Sequence, residues 1–182
     1  LVLASFTIRR DGSSRFGKNN RYGNFPAATL GYRLSKNLKA SWIDDLKIRA
    51  SWGKTGNQEI SNTARYGLYV ADYGADRVTS TAYDIFRQGT GIFPSGFRAT
   101  QTANDNLKWE TTIQYNVGAD FSMFNQELYG TVDAYIKDVK DMLISPAYLG
   151  AMGEGGASWS NGPSLRNIGM EANVGYRHTT KY

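Results

Sequence analysis

The side chains that could carry chemistry are few and poorly placed for it. His178 is the single histidine and the chain has no cysteine. A thiol nucleophile is therefore ruled out, and a Ser-His-Asp triad would have to draw on one imidazole near the end of the chain. An exposed strand position is the simpler reading of that histidine. Gly53-Lys54-Thr55 imitates the end of a phosphate-binding loop, but Ile48 stands where the earlier glycine belongs and no helical pattern follows, so it reads as a strand end. Asp44 with Asp45, and Asp138 with Asp141, are carboxylate pairs of the kind that can hold calcium or hydrolyse glycosides, yet neither lies in an Asp-rich loop of the required spacing. No catalytic residue, metal ligand or cofactor site is expected, and the chain does not read as an enzyme.

The residues that do accumulate are suited to contact instead. Between Thr55 and Leu107 stand Tyr66, Tyr69, Tyr73, Tyr83, Phe86, Phe93 and Phe97, and Trp159 follows in a later glycine-bearing segment. Aromatics in so long a connection either pack the loop on itself or form a platform for a sugar or peptide. A compact soluble domain does not readily hold a connection of this length, so the elements that carry it decide what it is.

Those elements show in hydropathy of period two. From Lys108 to Ile144, Ile113, Tyr115, Val117, Ala119, Phe121 and Met123 take the odd positions against Thr112, Gln114, Asn116, Gly118, Asp120 and Ser122. After Asn125-Gln126 the pattern resumes with Leu128, Gly130, Val132, Ala134 and Ile136. This is a hairpin of two long strands, each with one apolar face. At about 3.3 Å per residue, its first arm would cross a hydrocarbon core of roughly 30 Å even when tilted by about 45°. A long hairpin in a soluble β-sandwich would alternate in the same way.

Four further strands are expected: about Leu1–Arg10, Phe25–Leu34 with Pro26 at its start, Leu46–Lys54, and a last one from Ile168 to Arg177. In the third, Lys47 and Arg49 share the polar face, which must then meet water or carboxylates. Loops after the first, third and fifth strands fall on one side and include the two longest; the turn after the fourth is minimal. That asymmetry is the one found in outer-membrane barrels.

Composition agrees. Glycine numbers 20, tyrosine 12 and proline only 4 of 182 residues, a profile of strands and glycine-bearing turns. Mean hydropathy is −0.47, and no apolar run reaches the 18 or so residues of a membrane helix; alternating barrel strands are compatible with so low a value. The net charge of +5 is scattered without a basic cluster, which argues against a nucleic-acid partner. Both ends lie in strand pattern and no positive leader precedes Val2, so the chain reads as a fragment.

Leu46-Lys47-Ile48-Arg49-Ala50-Ser51-Trp52-Gly53-Lys54-Thr55-Gly56-Asn57-Gln58 resembles a stretch of the TonB-dependent outer-membrane receptors of the SusC/RagA type. So do Arg9-Arg10-Asp11-Gly12-Ser13-Ser14-Arg15-Phe16, Phe25-Pro26-Ala27, Asn106-Leu107-Lys108-Trp109-Glu110 and Asn167-Ile168-Gly169-Met170-Glu171, in the family's order. The resemblance implies an all-β, antiparallel, up-and-down transmembrane barrel segment of about six strands. Residues 1–182 would be part of the barrel domain, with plug domain and remaining strands absent. It further implies import of oligosaccharides or peptides with a SusD-like surface lipoprotein, energised by TonB through parts absent here. Outer-membrane lipid would surround the barrel, and the loop aromatics would meet the lipoprotein lid or the substrate. The rival expectation is a soluble β-sandwich that binds glycans through the same aromatics.

Overall fold

The computed structural model describes residues 1–35, 40–72, 96–146 and 158–178. Among them the strands are β1 (Val2–Gly12), β2 (Tyr22–Arg33), β3 (Ile43–Asn57), β4 (Leu68–Asp72), β5 (Gly96–Gln101), β6 (Glu110–Met123), β7 (Leu128–Lys140), β8 (Leu143–Ile144), β9 (Ser160–Asn161) and β10 (Leu165–Tyr176). Six form one antiparallel sheet in the order β1-β2-β3-β6-β7-β10, with β1 and β10 at its edges. Each long strand therefore lies beside its neighbour in the chain, the meander expected where no crossover helix intervenes. The pairs β4–β5 and β8–β9 are separate small hairpins within the long connections. Period-two reading missed them because they are short and Leu68-Tyr69-Val70-Ala71-Asp72 does not alternate.

Register keeps the two faces apart across the whole sheet. Phe6 pairs with Ala28, Ala28 with Trp52, Trp52 with Tyr115, Tyr115 with Ile136 and Ile136 with Ile168. The next rung joins Ala4, Leu30, Ala50, Val117, Ala134 and Met170 in the same way. A slip of one residue at any interface would move one strand's apolar set to the opposite face. The apolar face is uncovered: Val117 is 57% exposed, Ile168 73% and Met170 78%. A continuous bare apolar surface of this kind belongs against lipid or a partner. The sandwich expectation fails here, since among the described residues no second sheet stacks on the six strands.

The ends of the sheet differ. At one end β6 and β7 are joined by four residues, Phe124–Glu127, rather than by Asn125-Gln126 alone, and Phe124, Asn125 and Gln126 have φ of 54°, 55° and 66°. Left-handed backbone at non-glycine residues is costly, and neighbours hold it in place. Phe124 donates its N–H to the Trp42 carbonyl at 3.0 Å, and Gln126 donates to the Asp44 carboxylate at 2.8 Å. At the other end β2 and β3 part company: their pairing stops at Ala27–Gly53, whereas β3 and β6 stay paired out to Asn57–Glu110. Pro26 lies inside β2 and not at its start, at the level where β2 no longer has β3 beside it, so its missing N–H leaves no ladder bond broken. Beside the gap that opens there lies the only buried apolar cluster among the described residues, and its Phe25 and Trp109 line the gap.

Candidate functional site

On the polar face the charges of β3 meet carboxylates, one of the two outcomes their position required. Arg49 Nε donates to Asp120 Oδ1 at 2.9 Å, its Nη2 donates to Asp133 Oδ2, and Lys47 Nζ reaches Asp120 Oδ2 at 3.3 Å. Arg49 faces Gly118 on β6, and Gly118 faces Asp133 on β7, so the guanidinium crosses a whole strand to reach its second partner. Glycine permits that crossing, because a Cβ at position 118 would stand 2.4 Å from Asp133 Oδ1 and 3.0 Å from Arg49 Cζ. Two cations and two carboxylates, Asp120 about one-third exposed and Asp133 mostly buried, pair across three strands, with Asp133 Oδ1 left buried and without a hydrogen-bond partner. Beside them a hollow of about 390 Å³ is lined by Ser5, Thr29, Lys47, Arg49, Ser51 and Asn116 among more extensive apolar surface from Leu3, Ala4, Leu30 and Ala50. Hydroxyls, amides and paired charges suit a wetted wall that offers many weak hydrogen bonds. They do not assemble a proton-transfer site.

The long loops are tied into one body. Phe16 from the first loop, Phe25 from β2, Ile60 and Ala64 from the third connection, and Leu107 and Trp109 just before β6 form the buried cluster, with Phe16 and Leu107 wholly inaccessible. Trp109 lies 5.1 Å from Phe16 and 5.3 Å edge-on from Phe25, and its indole N–H donates to the Arg21 carbonyl at 3.2 Å. Leu143 and Trp159 from the last long connection pack against the same cluster. Polar clamps run alongside: Arg15 donates to Asn62 Oδ1 and to the Gln58 carbonyl at 2.8 Å each, and Asn161 Nδ2 donates to the carbonyls of Lys108 at 2.8 Å and Asp141 at 2.9 Å. Glu110 joins β3 to β8 by accepting from Asn57 at 3.2 Å and from the Leu143 N–H at 3.0 Å. Loops so tied form one unit at their bases, since each carries part of a shared core.

The candidate contact residues fall into three groups. Tyr66 and Tyr69 are exposed, Tyr66 with the Arg65 guanidinium 4.3 Å over its ring. Trp159 is partly buried against the loop core, and its carbonyl accepts from Asn104 Nδ2 at 2.8 Å. Phe97 belongs to β5, paired with Ala71, while Tyr73, Tyr83, Phe86 and Phe93 lie outside the described residues. Sequence reasoning did not single out Asp120 and Asp133. Their signal was available, because both sit at polar-face positions of their strands, at the level of Lys47 and Arg49. Asp44 and Asp45 separate: the first caps the β6–β7 turn, and the second accepts from Ser35 at 2.7 Å and pairs with Arg33 at 3.0 Å. Among the described residues no three histidine, aspartate or glutamate side chains converge as metal ligands would.

The family profile described as TonB dependent receptor-like, beta-barrel, matches residues 2–182. The TonB-dependent receptor SusC of Bacteroides thetaiotaomicron is 36% identical over 178 residues, covering 94% of this chain and 17% of SusC. The TonB-dependent receptor P39 of Formosa agariphila is 38% identical over 146 residues, which is 79% of this chain and 12% of that receptor. The chain thus spans less than a fifth of these relatives. Among solved structures, the RagAB peptide importer in its closed-closed state matches with a TM-score of 0.80 at 27% identity, over 99% of this chain and 18% of that one. The siderophore receptor PirA of Pseudomonas aeruginosa, at 16% identity and a TM-score of 0.55, shares the fold.

Proposed function

The chain belongs to the TonB-dependent receptor β-barrel family of the outer membrane, and from that membership we propose that it forms part of the wall and outer loops of a nutrient importer. In this reading residues 1–182 are a stretch of the barrel domain, and the plug and remaining strands come from the rest of the receptor. The cargo is an oligosaccharide or peptide, TonB supplies the energy, and a SusD-like surface lipoprotein closes over the loop end. The exposed rings of Tyr66 and Tyr69, with the other loop aromatics, would meet that lipoprotein or the cargo. The observation that carries the reading is the two-faced sheet. Its apolar face is bare across six strands, and its other face is lined with hydroxyls, amides and a neutralised charge network, as lipid outside and a wet lumen inside require. The likeness to the RagAB peptide importer supports the cargo class. The family consists of receptors and transporters, so no reaction is assigned to any side chain.

The test is removal of the gene for the full-length receptor, followed by uptake of fluorescent oligosaccharides and peptides by intact cells. Loss of uptake of one cargo class, restored by the gene and abolished when the TonB complex is de-energised, is the expected result. Unchanged uptake of both classes would overturn the reading, as would recovery of the receptor from membranes without a surface lipoprotein attached.

A further inference from the structure

The lipid-side face does not stay apolar to the loop end. Beyond Ile8 on β1 the next position on that face is Arg10, beyond Pro26 on β2 comes Asn24, and beyond Trp52 on β3 comes Lys54. On β7 and β10 the positions beyond Ile136 and Ile168 are Asp138 and Arg166, with Lys140 one step further. The face therefore ends in four cations, Arg10, Lys54, Lys140 and Arg166, against the single carboxylate of Asp138. Asp138 is already taken by Arg166 at 2.6 Å, and Lys108 nearby is paired with Asp141 at 3.0 Å. Arg10 and Lys54 have no carboxylate partner among the described residues; Arg10 lies 5.0 Å over the ring of Tyr22. At the turn end the same face finishes in Leu46, Met123, Leu128 and Tyr176, none of them charged.

A hollow lies where β2 splits from β3. It measures about 320 Å³, and its lining includes Phe25, Trp109, Tyr22, Asn24, Lys54 and Lys108, together with the Asp141 carboxylate that Lys108 neutralises. Most of its polar side chains can donate hydrogen bonds, Asp141 excepted, and Tyr22, Asn24, Lys54 and Thr111 stand on the apolar face's side of their strands, so the hollow adjoins that band.

We propose that this hollow and its cationic rim bind the phosphate-bearing headgroup of a lipid whose acyl chains lie on the apolar face below. The occupant is committed by two features. The site is continuous with the lipid-facing surface, so a lipid packed there brings its headgroup to this level. Its charge complements a phosphate, which accepts several charge-assisted hydrogen bonds from ammonium and guanidinium groups at once. The long loops place this rim in the leaflet facing the cell exterior. The inference rests on the assignment of faces in the proposed function but not on import, and uptake should be unaffected by its loss.

The test uses the full-length receptor purified in a neutral detergent, with native mass spectrometry counting lipid adducts on folded, heat-modifiable protein. The probes are a phosphorylated outer-leaflet lipid, the same lipid with its phosphates removed, and inorganic phosphate. Arg10→Gln with Lys54→Gln should lower the affinity for the phosphorylated lipid by about tenfold, and leave that for the dephosphorylated lipid unchanged. Arg9→Gln, which removes a charge one residue away on the opposite face, should retain wild-type binding. The proposal is overturned if the double variant binds like wild type, if Arg9→Gln loses as much, or if inorganic phosphate displaces the lipid.

Discussion

Gly118→Ala is the smallest change that should disconnect the luminal charge network. The new methyl group would stand 2.4 Å from Asp133 Oδ1 and 3.0 Å from both Asp133 Cγ and Arg49 Cζ, so the carboxylate or the guanidinium has to shift, which strains the contact that Asp133 Oδ2 makes with Arg49. The Asp133 side chain is mostly buried and that of Arg49 about one-third exposed, so solvent recovers only part of what the lost contact contributed. A charged hydrogen bond in such a setting contributes about 1.5 to 3 kcal/mol. With partial screening we expect a loss of about 1 to 2 kcal/mol. The mechanism is separable from any general intolerance of the strand by a double-mutant cycle with Asp133→Ala. Removing the carboxylate takes away both the clash and the contact, so Gly118→Ala should cost little in that background, with a coupling energy of about 1 kcal/mol or more. The measurement is urea unfolding of the full-length receptor in lipid vesicles, followed by heat-modifiable gel mobility. Equal costs of Gly118→Ala in both backgrounds would refute the idea that glycine is there to let Arg49 cross β6.

Three other outcomes are expected. Val117→Arg would place a cation in hydrocarbon, costing up to about 2 to 4 kcal/mol near the midplane, while Asn116→Arg, beside it on the wet face, should cost little; equal yields of folded barrel from membranes would show the face assignment to be wrong. Trp109→Ala should destabilise the loop cluster by about 3 to 5 kcal/mol, read as new protease cleavage in the long connections of intact cells while the barrel stays heat-modifiable; loss of the barrel itself would mean that the cluster holds the wall. Cysteine at Asp72, in the β4–β5 hairpin, should react with a membrane-impermeant label in whole cells, and labelling only after the outer membrane is breached would place the long loops on the wrong side.

The long strands were legible because alternation records a face directly: Ile113 to Met123 needs no partner to announce which way it points. The register was legible only indirectly, since Arg49 and Asp133 lie on strands that are not adjacent and nothing local marks Gly118 as the gap between them. The strand ends were misjudged where pairing, and not hydropathy, extends them: β3 runs to Asn57 because β6 stays beside it, and β2 begins before Pro26 because β1 does. In the loops, aromatic content pointed to contact but could not sort packing from display. Phe16, Phe25 and Trp109 became core because three connections meet on them, a convergence set by topology and invisible in any one stretch. Tyr66 and Tyr69 stay outside, although they are of the same residue class.

The shared core of the loops bears on how such receptors diversify and how they can be re-engineered. Transplanting one long loop from a relative would bring in a fragment of a foreign nucleus, leaving Phe16 or Trp109 facing side chains of the wrong shape. Variation is least constrained beyond the clamp, which in the third connection takes in Asn62 and Ala64 as well as Ile60 and Leu107, and in the last one Leu143 and Trp159. The clamp thus divides each loop into an inherited base and an exchangeable tip. Chimeras that respect that division should fold, and those cut through the base should not unless all three loops are exchanged together.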